Sequence, residues 1–113
     1  MGRTLVFLAR MLEGSNLSQA KAIAIDERTA ALTERNGHVD VEGEGSVYLV
    51  RARRPSEVCR PGTPLAFRNV DIYRVPKGGT SELKTWTGTK GMAYTLDVES
   101  GVIRSSQRGC SIY

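Results

Sequence analysis

Apolar residues crowd the first third of the chain and alternate with polar ones through the rest. From Thr4 to Glu13 the apolar positions Leu5, Leu8 and Leu12 recur at helical spacing, and Val6, Phe7 and Met11 widen that face until only Arg10 interrupts it. Thr4 is placed to cap this helix, and Gly14 to close it in a left-handed turn. A helix apolar on nearly all sides is normally buried against more than one layer. After the polar connection Ser15 to Gln19, an unbroken run of small apolar residues extends from Ala22 to Ile25. Such a run reads as a strand covered on both faces, the kind found inside a helix-sandwiched parallel sheet.

Beyond Asp26-Glu27 the spacing shifts to hairpins. Thr29–Glu34 and Val39–Glu42 flank Asn36-Gly37, a pair suited to a two-residue turn in which both positions take positive φ. Gly43-Glu44-Gly45 turns into the strand Ser46–Ala52, and Pro55 to Pro64 is a loop broken by Pro61-Gly62. Leu65–Phe67 and Val70–Val75 read as strands, followed by the turn Pro76–Gly79 and a weaker strand over Glu82–Trp86. Tyr94–Glu99 alternates cleanly, turns at Ser100-Gly101 and returns through Val102-Ile103. The expected fold is therefore an α/β fragment. Residues 1–33 supply one N-terminal helix and a buried strand from a parallel α/β sheet, and residues 34–113 a mostly antiparallel, β-rich hairpin extension.

Composition narrows the class little. Charged residues at 25% and apolar ones at 40% suit a folded chain rather than a disordered one. A net charge of +4 permits weak attraction to polyanions without being a nucleic-acid signature. The apolar stretch after Thr4 is too short for a signal peptide, and no segment approaches membrane-spanning length. Cys59 and Cys110 form no Cys-x-x-Cys pattern and are expected as reduced thiols, which suits a cytoplasmic setting.

Chemistry-bearing residues are sparse. A hydroxyl or thiol nucleophile needs a general base within hydrogen-bond reach, and that base needs an orienting partner. The only histidine, His38, stands beside the Asn36-Gly37 turn and reads as a solvated turn residue. Ser15, Ser18, Ser81 and Ser111 have no base nearby in sequence, and no Gly-x-Ser-x-Gly elbow is present. Asp26 and Glu27 point to opposite faces of a strand, so the reading is a strand end that hydrogen-bonds a turn rather than an acid pair. One histidine and two distant cysteines give no zinc spacing, and no metal or other cofactor is expected. Arg51, Arg53, Arg54 and Arg60 form a basic patch with Tyr48 and Tyr73 near it, either a weak nucleic-acid surface or a charged strand edge that discourages pairing.

Three stretches resemble the C-terminal part of the cyanophycinase-like serine peptidases, relatives of dipeptidase E. They are Gly2-Arg3 running into Leu5–Leu12, then Ile23-Ala24-Ile25-Asp26-Glu27-Arg28-Thr29-Ala30, then Val58-Cys59-Arg60-Pro61-Gly62-Thr63-Pro64-Leu65 followed by Val70–Val75. The resemblance implies a serine-type exopeptidase whose nucleophile and catalytic histidine lie upstream of anything in this chain. Of that family's functional residues, only a substrate-binding arginine carries over, onto Arg3. The chain is then expected to be inactive alone. It would pair with the missing N-terminal part of the peptidase domain or self-associate, and would meet peptide substrate only in the complete enzyme. The alternative is a stand-alone, non-catalytic β-rich binding module.

Overall fold

A computed structural model describes residues 1–113. Its elements are one helix, α1 (Gly2–Glu13), and nine strands: β1 (Ala20–Ile25), β2 (Thr29–Thr33), β3 (His38–Gly43), β4 (Val47–Ala52), β5 (Phe67–Val75), β6 (Thr80–Glu82), β7 (Thr87–Gly88), β8 (Met92–Glu99) and β9 (Val102–Ser105). They form a five-stranded sheet in the order β1-β4-β5-β8-β9 and a four-stranded sheet in the order β2-β3-β6-β7. Both sheets are antiparallel and there is no parallel α/β sheet, so the expectation of a parallel α/β fragment is corrected to a mostly antiparallel β fold with one helix.

The strand thought to be covered on both faces explains that correction. In β1 only Ala20 is fully buried; Ala22 and Ala24 are half-buried, and Lys21, Ile23 and Ile25 face outward from an edge position. Methyl groups at Ala22 and Ala24 fill little volume, and the larger isoleucines take the open side. The strand buried on both faces is β4, where Val47, Tyr48, Leu49 and Val50 are each buried. Its bulkier side chains supply the apolar area that central placement rewards.

The chain divides into two compact units, each assembled from separated segments: residues 1–22, 50–72 and 94–113 in one, and 23–49 and 73–93 in the other. In the first, α1 buries Leu5, Leu8, Ala9 and Leu12. Each leucine removed from water contributes roughly 1.5–3 kcal/mol. Val6, Phe7 and Met11 stay exposed, so the helix buries one stripe rather than most of its circumference. Met1 stands at the N-cap without a side-chain hydrogen bond, and Gly14 has φ −93°, so neither the Thr4 cap nor the left-handed Gly14 closure forms. Ser15 Oγ instead donates to the Met11 carbonyl at 2.6 Å. The Ser100-Gly101 turn between β8 and β9 forms as expected, both residues taking positive φ (49° and 78°) with Glu99 opposite Val102.

In the second unit, Val41, Val47 and Val75 form a core cluster with Ala31 and Tyr73 packed against it. The β2–β3 hairpin forms in the register Thr29↔Gly43 to Thr33↔Val39. Its turn differs from the two-residue form: Gly37 N–H donates to Glu34 O at 3.0 Å and only Gly37 takes positive φ (91°). That is a three-residue loop closed by a left-handed glycine, with Asn36 Oδ1 accepting the His38 N–H at 3.0 Å. Gly43–Gly45 carries the chain from one sheet to the other instead of closing a second hairpin. The expected strand Glu82–Trp86 ends at Glu82, and residues 83–86 are a turn with Trp86 at φ 54°.

Candidate functional site

His38 is not a solvated turn residue but the first residue of β3, with a side chain 28% exposed. Antiparallel pairing sets it directly opposite Glu82 on β6. Its Nδ1 lies 2.6 Å from Glu82 Oε1, and its Nε2 lies 3.3 Å from Asp40 Oδ1, two residues along the same strand face. Hydrogen bonding to Glu82, then to Asp40, raises the imidazole above its ordinary value. Protonated, the ring donates to both carboxylates. With a carboxylate against each ring nitrogen, the cluster is a clasp between β3 and β6.

The serines do not supply the missing partner. Ser81 neighbours Glu82 but alternates to the opposite face of β6, where it is buried and its Oγ has no hydrogen-bond partner. Ser15 donates to the helix end, Ser111 Oγ donates to Tyr113 O at 2.8 Å, and Ser18 lies exposed before β1. Nothing in the sequence pointed to the clasp, because His38 and Glu82 stand 44 residues apart and meet only through sheet register.

Asp26 acts structurally, and over a longer reach than a local turn. Its Oδ2 accepts from the Ser46 N–H at 2.9 Å and from the Tyr48 hydroxyl at 3.1 Å, while its own N–H donates to Ser46 O at 3.1 Å. These bonds tie the end of β1 to the start of β4. The basic patch is also internally engaged. Arg53 Nε lies 2.6 Å and Arg51 Nε 3.7 Å from the same Asp71 Oδ2. Tyr48 is buried, and Tyr73 packs on the valine cluster with its hydroxyl accepting the Gly91 N–H at 3.2 Å. Arg54 and Arg60 stand apart from that network, and Arg3 is exposed on the first turn of α1.

Within the first unit a groove of about 700 Å³ runs between α1 and the Cys59–Leu65 segment. Val6, Pro61 and Leu65 give it apolar walls, and Arg10, Arg60 and Glu13 place charge along it. The outer wall is held by paired hydrogen bonds between Val58 and Ala66, each 3.0 Å. At its tip, Thr63 N–H donates to Arg60 O at 3.2 Å around Pro61 and a left-handed Gly62 (φ 73°), a turn those two residues favour.

No family model matches the chain, and no curated protein or solved structure matches it. No helix is long and apolar enough to cross a membrane. No group of three or more His, Cys, Asp or Glu side chains is placed to hold a metal ion.

Proposed function

We propose that the chain is the non-hydrolytic, C-terminal β module of a cyanophycinase-like serine exopeptidase, working with a catalytic part supplied by another stretch of polypeptide. The observation that carries this reading is the split character of α1. Leu5, Leu8 and Leu12 are buried, while Phe7 (64% exposed) and Met11 (51% exposed) remain in water. Two large apolar side chains on one helix forgo roughly 1.5–3 kcal/mol each unless something covers them. A catalytic part seated there would recover that free energy, and Arg3, on the same helix, would then stand ready to bind substrate.

The imidazole clasp supports the non-hydrolytic half of the reading, since acyl transfer needs nucleophile and base together. The cytoplasm is the compartment this reading assigns, with Cys59 and Cys110 as thiols; both are unpaired. The test uses hydrolysis of β-aspartyl-arginine. The chain alone is expected to match a buffer blank, and a cyanophycinase-like catalytic part lacking this region should gain activity on addition of the chain. Hydrolysis by the chain alone that disappears on changing one serine would refute the reading, as would a catalytic part indifferent to the chain.

A further inference from the structure

We propose that the groove between α1 and the Cys59–Leu65 turn docks an acidic peptide segment, one that sets an Asp or Glu carboxylate beside an apolar side chain. Its volume of about 700 Å³ falls in the range of ligand sites, and it is partly open to solvent, so a segment of peptide can reach it without the wall moving aside. It shares Val6 and Leu65 with a cleft of about 170 Å³ that Leu5, Val98 and Ile103 also line. That cleft is the natural seat for an aliphatic side chain.

Charge selects the other half of the ligand. Arg10 and Arg60 line the groove, and neither pairs with a carboxylate of the chain, whereas Arg51, Arg53, Arg68 and Arg104 all do. Glu13 is the single anion there, so the lining carries two positive charges against one negative. A guanidinium presents a planar fork of donors that matches a carboxylate with two parallel bonds. The outer wall is already fixed by the Val58–Ala66 bridge and the Arg60–Thr63 turn, so little ordering is left to oppose binding. The net charge of +4 draws an acidic partner toward the surface.

The two thiols provide the readout, because Cys59 lines the groove and Cys110 is exposed elsewhere in the sequence. The probe is a fluorescein-labelled, C-terminally amidated Gly-Leu-Asp-Leu-Glu-Leu-Gly, with its Asn/Gln twin as control, read by anisotropy and by maleimide labelling of the full chain. The acidic peptide should slow labelling of Cys59 several-fold and leave Cys110 unchanged. Arg10→Gln combined with Arg60→Gln should weaken binding about tenfold or more, and the neutral twin should bind about as weakly. Val6→Glu, checked by circular dichroism alongside the arginine variant, should block binding by setting a carboxylate against the acidic ligand while the fold persists.

Equal binding of the two peptides, an unaffected double arginine variant, or no protection of Cys59 at millimolar peptide would overturn the proposal. Protection by phosphatidylglycerol vesicles or by RNA where the peptide gives none would overturn it too, in favour of a phosphate-bearing partner. The groove is complete within this chain, so peptide binding and restored hydrolysis report on separate claims.

Discussion

Glu82 Oε1 lies 2.6 Å from Nδ1 of His38, its register partner across β3 and β6, and Asp40 closes the other side of the ring at 3.3 Å. The only imidazole of the chain thus bridges two carboxylates, one on its own strand and one across it. It binds β6, a three-residue strand with few ladder bonds of its own, to the β2–β3 hairpin.

The clasp makes stability depend on pH with a definite sign. The folded-state pKa of His38 is raised above the ordinary 6.5 that it regains on unfolding. Its stabilisation is therefore fully present below about pH 6.5 and fades as pH rises through the raised folded value. The denaturation midpoint should fall between about pH 6 and about pH 9 by a component that His38→Asn abolishes. Glu82→Gln should return the imidazole titration, followed by NMR, toward its ordinary value. An unshifted titration in the unaltered chain would contradict the clasp.

Asp26→Ala removes the acceptor for the Ser46 N–H and the Tyr48 hydroxyl and should cost about 1–3 kcal/mol by denaturant unfolding. Tyr48→Phe, which leaves the Ser46 bond in place, should cost less, about 0.5–1.5 kcal/mol. Equal losses for the two would mean that the carboxylate matters only to the phenol.

Two glycines separate backbone conformation from close approach. A methyl at Gly62 (φ 73°) would meet no atom within 4 Å, so Gly62→Ala should cost only the left-handed penalty, about 1–2 kcal/mol. A methyl at Gly43 (φ 112°) would collide with the Arg28 carbonyl oxygen and lie 2.9 Å from Thr29 Cα. Gly43→Ala should therefore be clearly the more destabilising of the pair by thermal or denaturant unfolding. The reverse order would show that the close passage of Gly43 against β2 is not maintained in solution.

The two sides of α1 should respond oppositely to truncation. Leu8→Ala is expected to cost about 2–5 kcal/mol, as for a buried leucine. Phe7→Ser with Met11→Ser should move stability by less than about 1 kcal/mol. The same double change should lower any concentration-dependent association seen by light scattering, because it removes exposed apolar area. Unfolding of the double variant would mean that this face is buried after all.

Local pairings were legible in the sequence, and membership of a sheet was not. Alternation with turn residues locates the Thr29–Glu42 hairpin, though one residue out of register because the turn takes three residues, and the Tyr94–Ile103 hairpin, since each pairs neighbours along the chain. Alternation splits the continuous strand β5 into Leu65–Phe67 and Val70–Val75. In the structure Asn69 takes φ 56°, and its N–H donates to Asp97 Oδ1 at 2.7 Å without ending the strand. The apolar run Ala22–Ile25 misled because period alone does not distinguish a strand covered on two faces from an edge strand with one face open. Asp26, expected to hydrogen-bond a following turn, bonds Ser46 and Tyr48 some 20 residues on, again through sheet pairing. The clasp and the groove both depend on contacts between distant segments, which no local pattern encodes.

The strand orders also fix a sequence of events in time. The chain visits the five-stranded sheet with β1, leaves for β2 and β3, returns for β4 and β5, leaves again for β6 and β7, and ends with β8 and β9. Only β2–β3, β6–β7 and β8–β9 join strands consecutive in sequence by a short turn, and such hairpins close within about 1–10 μs. β1 cannot meet β4 until the intervening hairpin has been enclosed in a long loop, and β5 must wait for β8 across another. Assembly should therefore be slow beside its own hairpins, in the millisecond-to-second regime of sheets built on distant pairings. During synthesis, β1 leaves the ribosome with no partner and stays so until β4 follows it out.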